Sequence, residues 1–523
     1  MSTVNTTAST IASTAAATTA ASNAALQQAA QSIISGSTGN SSMDVSSLVT
    51  ALVNSKIAGQ AATLAASQST DNTQISAYGT LSAALSALQA GLGTLSDGTT
   101  VNSFSATASG TGITATAASG AVAGTYSLDV AQVATGQVLT SKGYDASTAL
   151  ASGSATMTLT VNGASTSISL NSSNSTVAGI ASAINSASNN PGVTASVVNG
   201  ADGAHLVLHA TNTGSGNGIS IAVNDSNGSD ALNHLAVQTT NGATLTGKAN
   251  ATSTDLANNQ STIDNKSYWT QSTAAQDAYF TIDGTGVTSA SNTVKSALSG
   301  VTLNLTAASV DANGTAPQTL TVSQNTSAQS AAINQFVTLY NTLVTTMGTL
   351  TSYSSTATSQ GVLLGDSTLN MIRNQLATNV ATGVKNGNTT TSLEAIGITL
   401  GADGTMSIDS TKLSDALQNN QSTVATLFSS TNGVAEQLNA NITNYLSSSG
   451  AIATRTNALN ADLTSLTTQQ SSLSSYQAQL TSMYTAQFTA LNTLMATMNN
   501  NSQYLTQLFG GTNSAGALAT KAS

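Results

Sequence analysis

The sequence predicts an α+β multidomain chain: a coiled-coil-like helical leg of paired N- and C-terminal segments, with β-rich head domains inserted between them. Three observations carry this. Apolar residues recur at alternating steps of three and four near both ends, and the apolar period falls to two between residues 101 and about 325. The length of 523 residues also exceeds what a single core organises. A helix with a continuous apolar seam must bury that seam against a second helix of similar length. Folding the two ends together is the economical solution, and a shaped object of this kind suits assembly better than catalysis.

Taken in order, residues 1–42 are rich in Ala, Thr and Ser, lack periodicity, and are expected to be disordered. Asp44 is placed to cap a helix with Val45, Leu48, Leu52 and Ile57 on one stripe. After a polar stretch, Tyr78, Leu81, Leu85, Leu88, Leu92 and Leu95 form a heptad seam that Asp97-Gly98 breaks, so residues 43–98 make the N-terminal half of the leg. Met157, Leu159 and Val161 then alternate with polar residues up to a turn at Asn162-Gly163, with Ile168 and Leu170 beyond it. Ser175 or Thr176 can cap a short helix carrying Val177, Ile180, Ala181 and Ile184, which Pro191-Gly192 ends. Further strands are expected at Val193–Val198, Leu206–Leu208, Ile219–Val223, Tyr279–Ile282, Val301–Leu305 and Leu320–Val322. Residues 99–135 and 276–325 are assigned to an inner β-rich head domain, and 136–275 to an outer one.

Helical spacing returns at Ile333, Phe336, Val337, Tyr340, Leu343 and Val344, and again at Leu369, Ile372 and Leu376. A hairpin, Ile396–Leu400 and Met406–Ile408 around Asp403-Gly404, precedes helical stretches at Leu413–Phe428 and Val434–Leu446. Residues 326–454 are assigned to the C-terminal half of the leg. The longest pattern, 455–508, puts Leu459, Leu463, Leu466, Leu473 and Leu480 on heptad positions, with Gln470 and Gln477 in the seam. Phe488, Leu491, Met495, Met498 and Leu505 continue it after two successive steps of four through Leu480, Tyr484 and Phe488, which is a stutter. As one helix this span is roughly 80 Å long. Residues 509–523 are expected to be a disordered tail.

Charge is scarce. Asp, Glu, Lys and Arg make up 6% of the chain, against roughly 25% in ordinary soluble proteins. The net charge is −10, and the 10 Lys and Arg are scattered rather than clustered, so neither nucleic acid nor an anionic membrane surface is an expected partner. No apolar run reaches the length a membrane helix needs, and membrane insertion is not expected. The absence of cysteine removes disulfides and thiolate metal sites. The opening stretch has neither a basic n-region nor an apolar h-region, so an exported chain would use a route that reads no cleavable signal. Between Arg455 and Lys521 the sole charge is Asp462, which leaves the final helix without the ion pairs that usually choose helix partners.

Catalytic constellations are not expected either. His205 and His209 sit in an alternating segment, where four residues span about 13 Å, too far for one zinc ion. Gly214-Ser-Gly216-Asn-Gly218 leads into a strand rather than the helix a phosphate loop requires. Asp225-Ser-Asn227-Gly228 lacks the spacing and terminal Glu of a calcium loop. No G-x-S-x-G elbow occurs. The reading is therefore no enzyme, no metal and no cofactor.

Several blocks together resemble one family. MDVSSLVTALV (Met43–Val53) and ISAYGTLSAALSAL (Ile75–Leu88) are similar to the opening helices of flagellar hook-associated protein 2, the filament-cap family. The stretch from Val177 to Ile221 resembles a motif shared by flagellins and hook-associated proteins. SNTVKSALSGVTLNL (Ser291–Leu305), FVTLYNTL (Phe336–Leu343), LLGDSTLNMIRNQL (Leu363–Leu376), IGITLGADGTMSID (Ile396–Asp409) and YTAQFTALNTLMATMNNNSQYL (Tyr484–Leu505) follow in the family's order. The resemblance implies an uncleaved protein exported through the flagellar type III apparatus to the filament tip. It implies a cyclic ring of copies, expected as a homopentamer, beneath which exported flagellin folds and inserts. Hook-associated junction proteins and an export chaperone at the C-terminal region are further implied partners, with Phe488, Leu491, Met495 and Met498 as chaperone candidates that could equally pack within the leg. Cap heads of some bacteria also adhere to mucus, which makes adhesion an added possibility. Two departures stand out: Asn54-Ser55-Lys56 replaces the charged residues that follow the family's first helix, and the segment before Met43 is long. Flagellin, a junction protein or a secreted adhesin share parts of the pattern, but the order of blocks from Ser291 to Asp409 favours the cap.

Overall fold

A computed structural model describes residues 44–509 except 228–229, 312–313, 356–359, 387–388 and 429–431, together with residues 24, 27, 30 and 31. The two terminal segments expected to be disordered lie almost wholly outside the described residues; Ala24, Gln27, Ala30 and Gln31 are helical and exposed. The helices are α1 (Val45–Ser96), α2 (Val177–Ser186), α3 (Ser253–Asn258), α4 (Thr326–Leu350), α5 (Ser367–Thr382), α6 (Ser410–Asn419), α7 (Gln421–Phe428), α8 (Val434–Leu446) and α9 (Ala451–Phe509). The chain divides into two compact units, one of residues 1–101 with 330–523 and one of 102–329.

In the first unit, α1 is a single helix of 52 residues. The polar stretch between its two apolar stripes does not interrupt it. Asp44 caps it by accepting from Ser47 N at 3.1 Å, and it stops where Gly98 takes φ +77°. The second half of α1 does not zip to the long C-terminal helix. Tyr78, Leu81, Leu85, Leu88, Leu92 and Leu95 are buried among Ile333, Phe336, Tyr340 and Leu343 of α4, Leu369, Ile372 and Leu376 of α5, Phe428 of α7, and Leu438 and Ile442 of α8. The Phe336 and Phe428 rings meet edge to face at 5.9 Å, a geometry favoured by the aromatic quadrupole. The helical stretch expected at Leu413–Phe428 is two helices. Asn420 leaves helical geometry at φ −131° and ends α6.

The second unit holds two apolar cores. One lies between a five-stranded antiparallel sheet and a three-stranded one. The first runs in the order Phe104–Ala108, Gln318–Gln324, Gly124–Gln132, Ala278–Ile282, Thr285–Ser289, and Leu128, Phe280, Leu303, Leu320 and Val322 fill the core. The other lies between a four-stranded sheet (Trp269–Thr273, Val138–Ser141, Gly203–Ala210, Val193–Gly200), a three-stranded sheet (Ala164–Leu170, Ala155–Val161, Ile219–Asp225) and α2. The hairpin at Asn162-Gly163 takes φ +47° and +79°, the positive pair a tight two-residue turn requires. Thr176 rather than Ser175 caps α2, accepting from Gly179 N. Ser175 is buried instead, and its hydroxyl accepts from Ala151 N at 3.0 Å. Several of these strands, among them Phe104–Ala108 and Trp269–Thr273, carry one aromatic residue followed by Thr, Ser, Ala or Gln, with little apolar alternation.

Polar side chains join the two cores. Gln132 Nε2 donates to Asn259 Oδ1 at 3.1 Å and to the Asp277 carbonyl at 2.8 Å. Asp277 accepts from the Ser215 amide and hydroxyl, each at 2.8 Å. Gln137, fully buried, donates to Gln271 Oε1 at 2.8 Å and accepts from Ile219 N at 2.6 Å. Satisfied amides of this kind cost little to bury, whereas removing one partner leaves the other unpaired, typically a loss of about 1–3 kcal/mol.

His205 lies in the strand Gly203–Ala210 with both ring nitrogens facing acceptors: Nδ1 meets the Ser141 carbonyl at 2.8 Å and Nε2 meets Asp202 Oδ1 at 2.9 Å. Only the doubly protonated ring donates to both. The Ser141 carbonyl, and then Asp202, accordingly raise its pKa above the usual 6.5 against the opposing effect of burial. A raised folded-state pKa contributes stability that is complete below 6.5 and lost as pH climbs through the folded value. Asp202 is held below 3.8, first by the His205 hydrogen bond and last by Lys142, and stays ionised across that window. The stability advantage of the wild type over His205→Gln is therefore expected to shrink between about pH 5.5 and about pH 8.5. Parallel melting curves that keep a constant offset across the range would refute this.

Candidate assembly surface

The first half of α1 lies antiparallel against α9. Val49, Val53, Ile57 and Leu64 from α1 form a small apolar cluster with Leu473 and Leu480 from α9, edged by Val45, Leu466, Tyr484 and Phe488. Gln68 and Gln470 meet across the pair at 3.4 Å, so the seam's polar position is matched by an amide rather than left facing apolar surface. The stutter brings Tyr484 and Phe488 onto the same face, with ring centroids 6.5 Å apart. There they close the end of the seam against Val45 and Leu48.

At the other end of the seam a polar lock ties three helices. The Tyr78 hydroxyl of α1 donates to Asp366 Oδ1 at 2.6 Å. Asp366 caps α5 by accepting from Leu369 N at 3.0 Å, and Arg455 Nε of α9 stands 3.5 Å from its Oδ2. Burial, then the Asp366 contact, raises the Tyr78 pKa well above the ordinary tyrosine value. Asp71 is also raised, by burial and then by Asp462, with Arg455 opposing.

The residues read from the sequence as packing or contact positions fall into four settings. Tyr78, Leu81, Leu85, Leu88 and Leu459 belong to the helical core. Leu48, Leu473 and Leu480 are buried in the α1–α9 seam, with Val45, Leu466 and Phe488 half-buried beside them. Leu52, Leu463 and Met495 are half-buried outside these clusters. Leu491, Met498 and Leu505 are exposed, by 42%, 63% and 53%. Val49 and Val53, rather than Leu52, face α9. The run Val45, Val49, Val53, Ile57 in steps of four was the available signal. The two rows lie about 60–100° apart, within the width of one apolar stripe, so periodicity alone does not choose between them.

Because α1 begins at Val45, opposite Phe488, α9 continues some 20 residues, roughly 30 Å, past that point. Along this extension Leu491, Leu494, Met498, Tyr504, Leu505 and Leu508 are exposed. Among the described residues, no group of three or more His, Cys, Asp or Glu is placed to share a metal ion. No described helix is long and apolar enough to cross a membrane.

Family models match most of the chain: the N-terminus of flagellar hook-associated protein 2 over residues 41–137, its C-terminus over 275–500, and the flagellin hook IN motif over 156–212. Flagellar hook-associated protein 2 of Escherichia coli O157:H7 is 33% identical over 414 residues, covering 76% of this chain and 81% of the relative. The B-type flagellar hook-associated protein 2 of Pseudomonas aeruginosa is 29% identical over 403 residues, covering 76% and 80%. The crystal structure of the flagellar cap protein FliD D1-D2-D3 domains from Escherichia coli is similar at TM-score 0.58 and 32% identity, over 73% of this chain and 99% of that one.

Two outcomes follow from the geometry of the leg. Leu85 is fully buried, so Leu85→Ala should lower unfolding free energy by about 2–5 kcal/mol in denaturant titrations. No ion pair links α1 to α9 among the salt bridges of the described residues, so the unfolding midpoint should change little between about 0.05 M and about 1 M NaCl. A steep loss of stability with salt would contradict a seam held by apolar and amide contacts.

Proposed function

This chain belongs to the flagellar hook-associated protein 2 family, and from that premise we propose that it caps the distal end of the flagellar filament, retaining exported flagellin and promoting its folding and insertion. The observation that carries the reading is the pairing of α1 with α9, with an apolar stripe left exposed on the α9 extension. A cap must hold its filament and still step as each subunit arrives. That task calls for contacts that are many and individually weak.

A leg in which no ion pair joins α1 to α9 among the described residues, the Arg455–Asp366 contact lying at the end of the seam, suits such contacts. Its associations are set by shape, apolar area and neutral amides, none of which locks one register as a buried charge pair would. Copies are proposed to form a cyclic ring, a homopentamer in the simplest case, seated on flagellin next to the hook-associated junction proteins. Export through the flagellar type III route is proposed to carry the protein outside the cell to the filament tip. Phe488, Leu491, Met495 and Met498 are proposed as the surface an export chaperone covers before assembly. The exposure of Leu491 and Met498 supports this.

Deleting the gene should leave hooks in place, abolish long filaments and release monomeric flagellin into the medium, with full-length protein restoring motility. Filaments of normal length on the deletion strain would overturn the proposal.

A further inference from the structure

The strand Val193–Gly200 is the edge of its four-stranded sheet, paired on one side with Gly203–Ala210. The register aligns Val193 with Ala210, and Thr211 N donates to the Gly192 carbonyl at 2.8 Å. In an antiparallel ladder this fixes which backbone groups face which way. Gly192, Thr194, Ser196 and Val198 turn theirs toward the neighbouring strand. Val193, Ala195, Val197 and Asn199 turn theirs outward.

Such an edge invites another strand to pair with it. Proteins usually block one with lysine, proline or a bulge. Val193–Gly200 contains no charged residue and no proline, and its pairing runs without a register shift. Val198 is 52% exposed. Lysine and proline are scarce throughout this chain, which has 10 Lys and Arg and 2 Pro.

Two asparagine amides occupy the first two of these four outward positions instead. Asn185 of α2 donates from Nδ2 to the Ala195 carbonyl at 2.7 Å and accepts from Ala195 N at 2.9 Å. Asn190 donates to the Val193 carbonyl at 2.8 Å and accepts from Val193 N at 2.8 Å. Each amide presents the donor and acceptor that a neighbouring peptide group would supply. Asn190 is itself anchored by the Ile184 carbonyl at the end of α2, at 2.8 Å.

We propose that Asn185 and Asn190 stand in for an absent neighbouring strand along the first half of this edge, and that the edge they shorten is a latent docking surface for the same edge of a second copy of this chain. A second copy is the fitting occupant because the strand carries no charge. Two identical edges can meet antiparallel, in an isologous pair, without opposing like charges. Closing half of this edge with side chains leaves too short a free ladder for a stable pair, leaves assembly to other surfaces and prevents off-pathway pairing of copies at high local concentration.

The test uses the full-length chain with Asn185→Ala and Asn190→Ala combined, followed by sedimentation velocity over a concentration series and by circular dichroism. The folded double variant should add species larger than any the wild type forms, with a share that rises with concentration. Adding Val198→Lys, at an exposed position, should return the distribution to that of the wild type, because paired copies would then oppose like charges. A folded double variant that sediments like the wild type overturns the proposal. So does self-association that Val198→Lys leaves unchanged, which would indicate general loss of structure. Should the double variant lose its cooperative unfolding transition, Asn185→Ala alone carries the same test, since it uncovers Ala195 while Asn190 still holds the turn. A smaller shift, again reversed by Val198→Lys, is then expected, and its absence counts against the proposal.

Discussion

Everything in the helical unit depends on burying the apolar stripe of α1 along its whole length. Ser, Thr and Gly recur through α1, residues that form isolated helices poorly, so a helix of 52 residues must draw its stability from tertiary packing. Each fully buried leucine contributes about 1.5–3 kcal/mol through area removed from water, and six side chains from Tyr78 to Leu95 are completely buried. The first half of the same helix relies on α9, and the join between the two regimes is where Tyr78, Asp366 and Arg455 meet. There a charged pair, Asp366 with Arg455, and the Tyr78 hydroxyl tie together three helices.

Low charge has a second consequence along these helices. Thr50, Thr63, Thr464, Thr467, Thr493 and Thr497 each donate their hydroxyl to a carbonyl four residues earlier in their own helix. The hydroxyl proton is thereby returned to the backbone, leaving a methyl group and an acceptor lone pair outward. A surface made this way is polar enough to stay hydrated yet offers partners few strong donors.

The inserted unit solves the same shortage differently. Aspartates still orient several of its loops, among them Asp145, Asp230 and Asp277, while amides serve between the two cores, in Gln132, Gln137 and Asn259, and along an edge strand, in Asn185 and Asn190. An amide offers both a donor and an acceptor in one plane, so it can replace a missing peptide group. A carboxylate or an ammonium cannot, since each offers one kind of group only.

Much of this was legible in the residues themselves. The heptad seams from Tyr78 to Leu95 and from Leu459 to Leu480, the alternation of Met157, Leu159 and Val161, the Asn162-Gly163 turn and the Asp44 cap all follow from local periodicity and turn chemistry, which need no knowledge of distant segments. The resemblance of ordered blocks carried the family. Partner choice was not legible. Which seam meets which, Val49 and Val53 facing α9 where Leu52 does not, and Tyr78–Leu95 packing on α4, α5 and α8, depends on how the whole set of helices is placed. Strands made of Thr, Ser and Ala gave no alternation to read, because their pairing is stabilised by backbone hydrogen bonds and amide contacts between residues more than a hundred positions apart. Periodicity along a chain reports which face is apolar; only the folded arrangement supplies the surface that face is buried against.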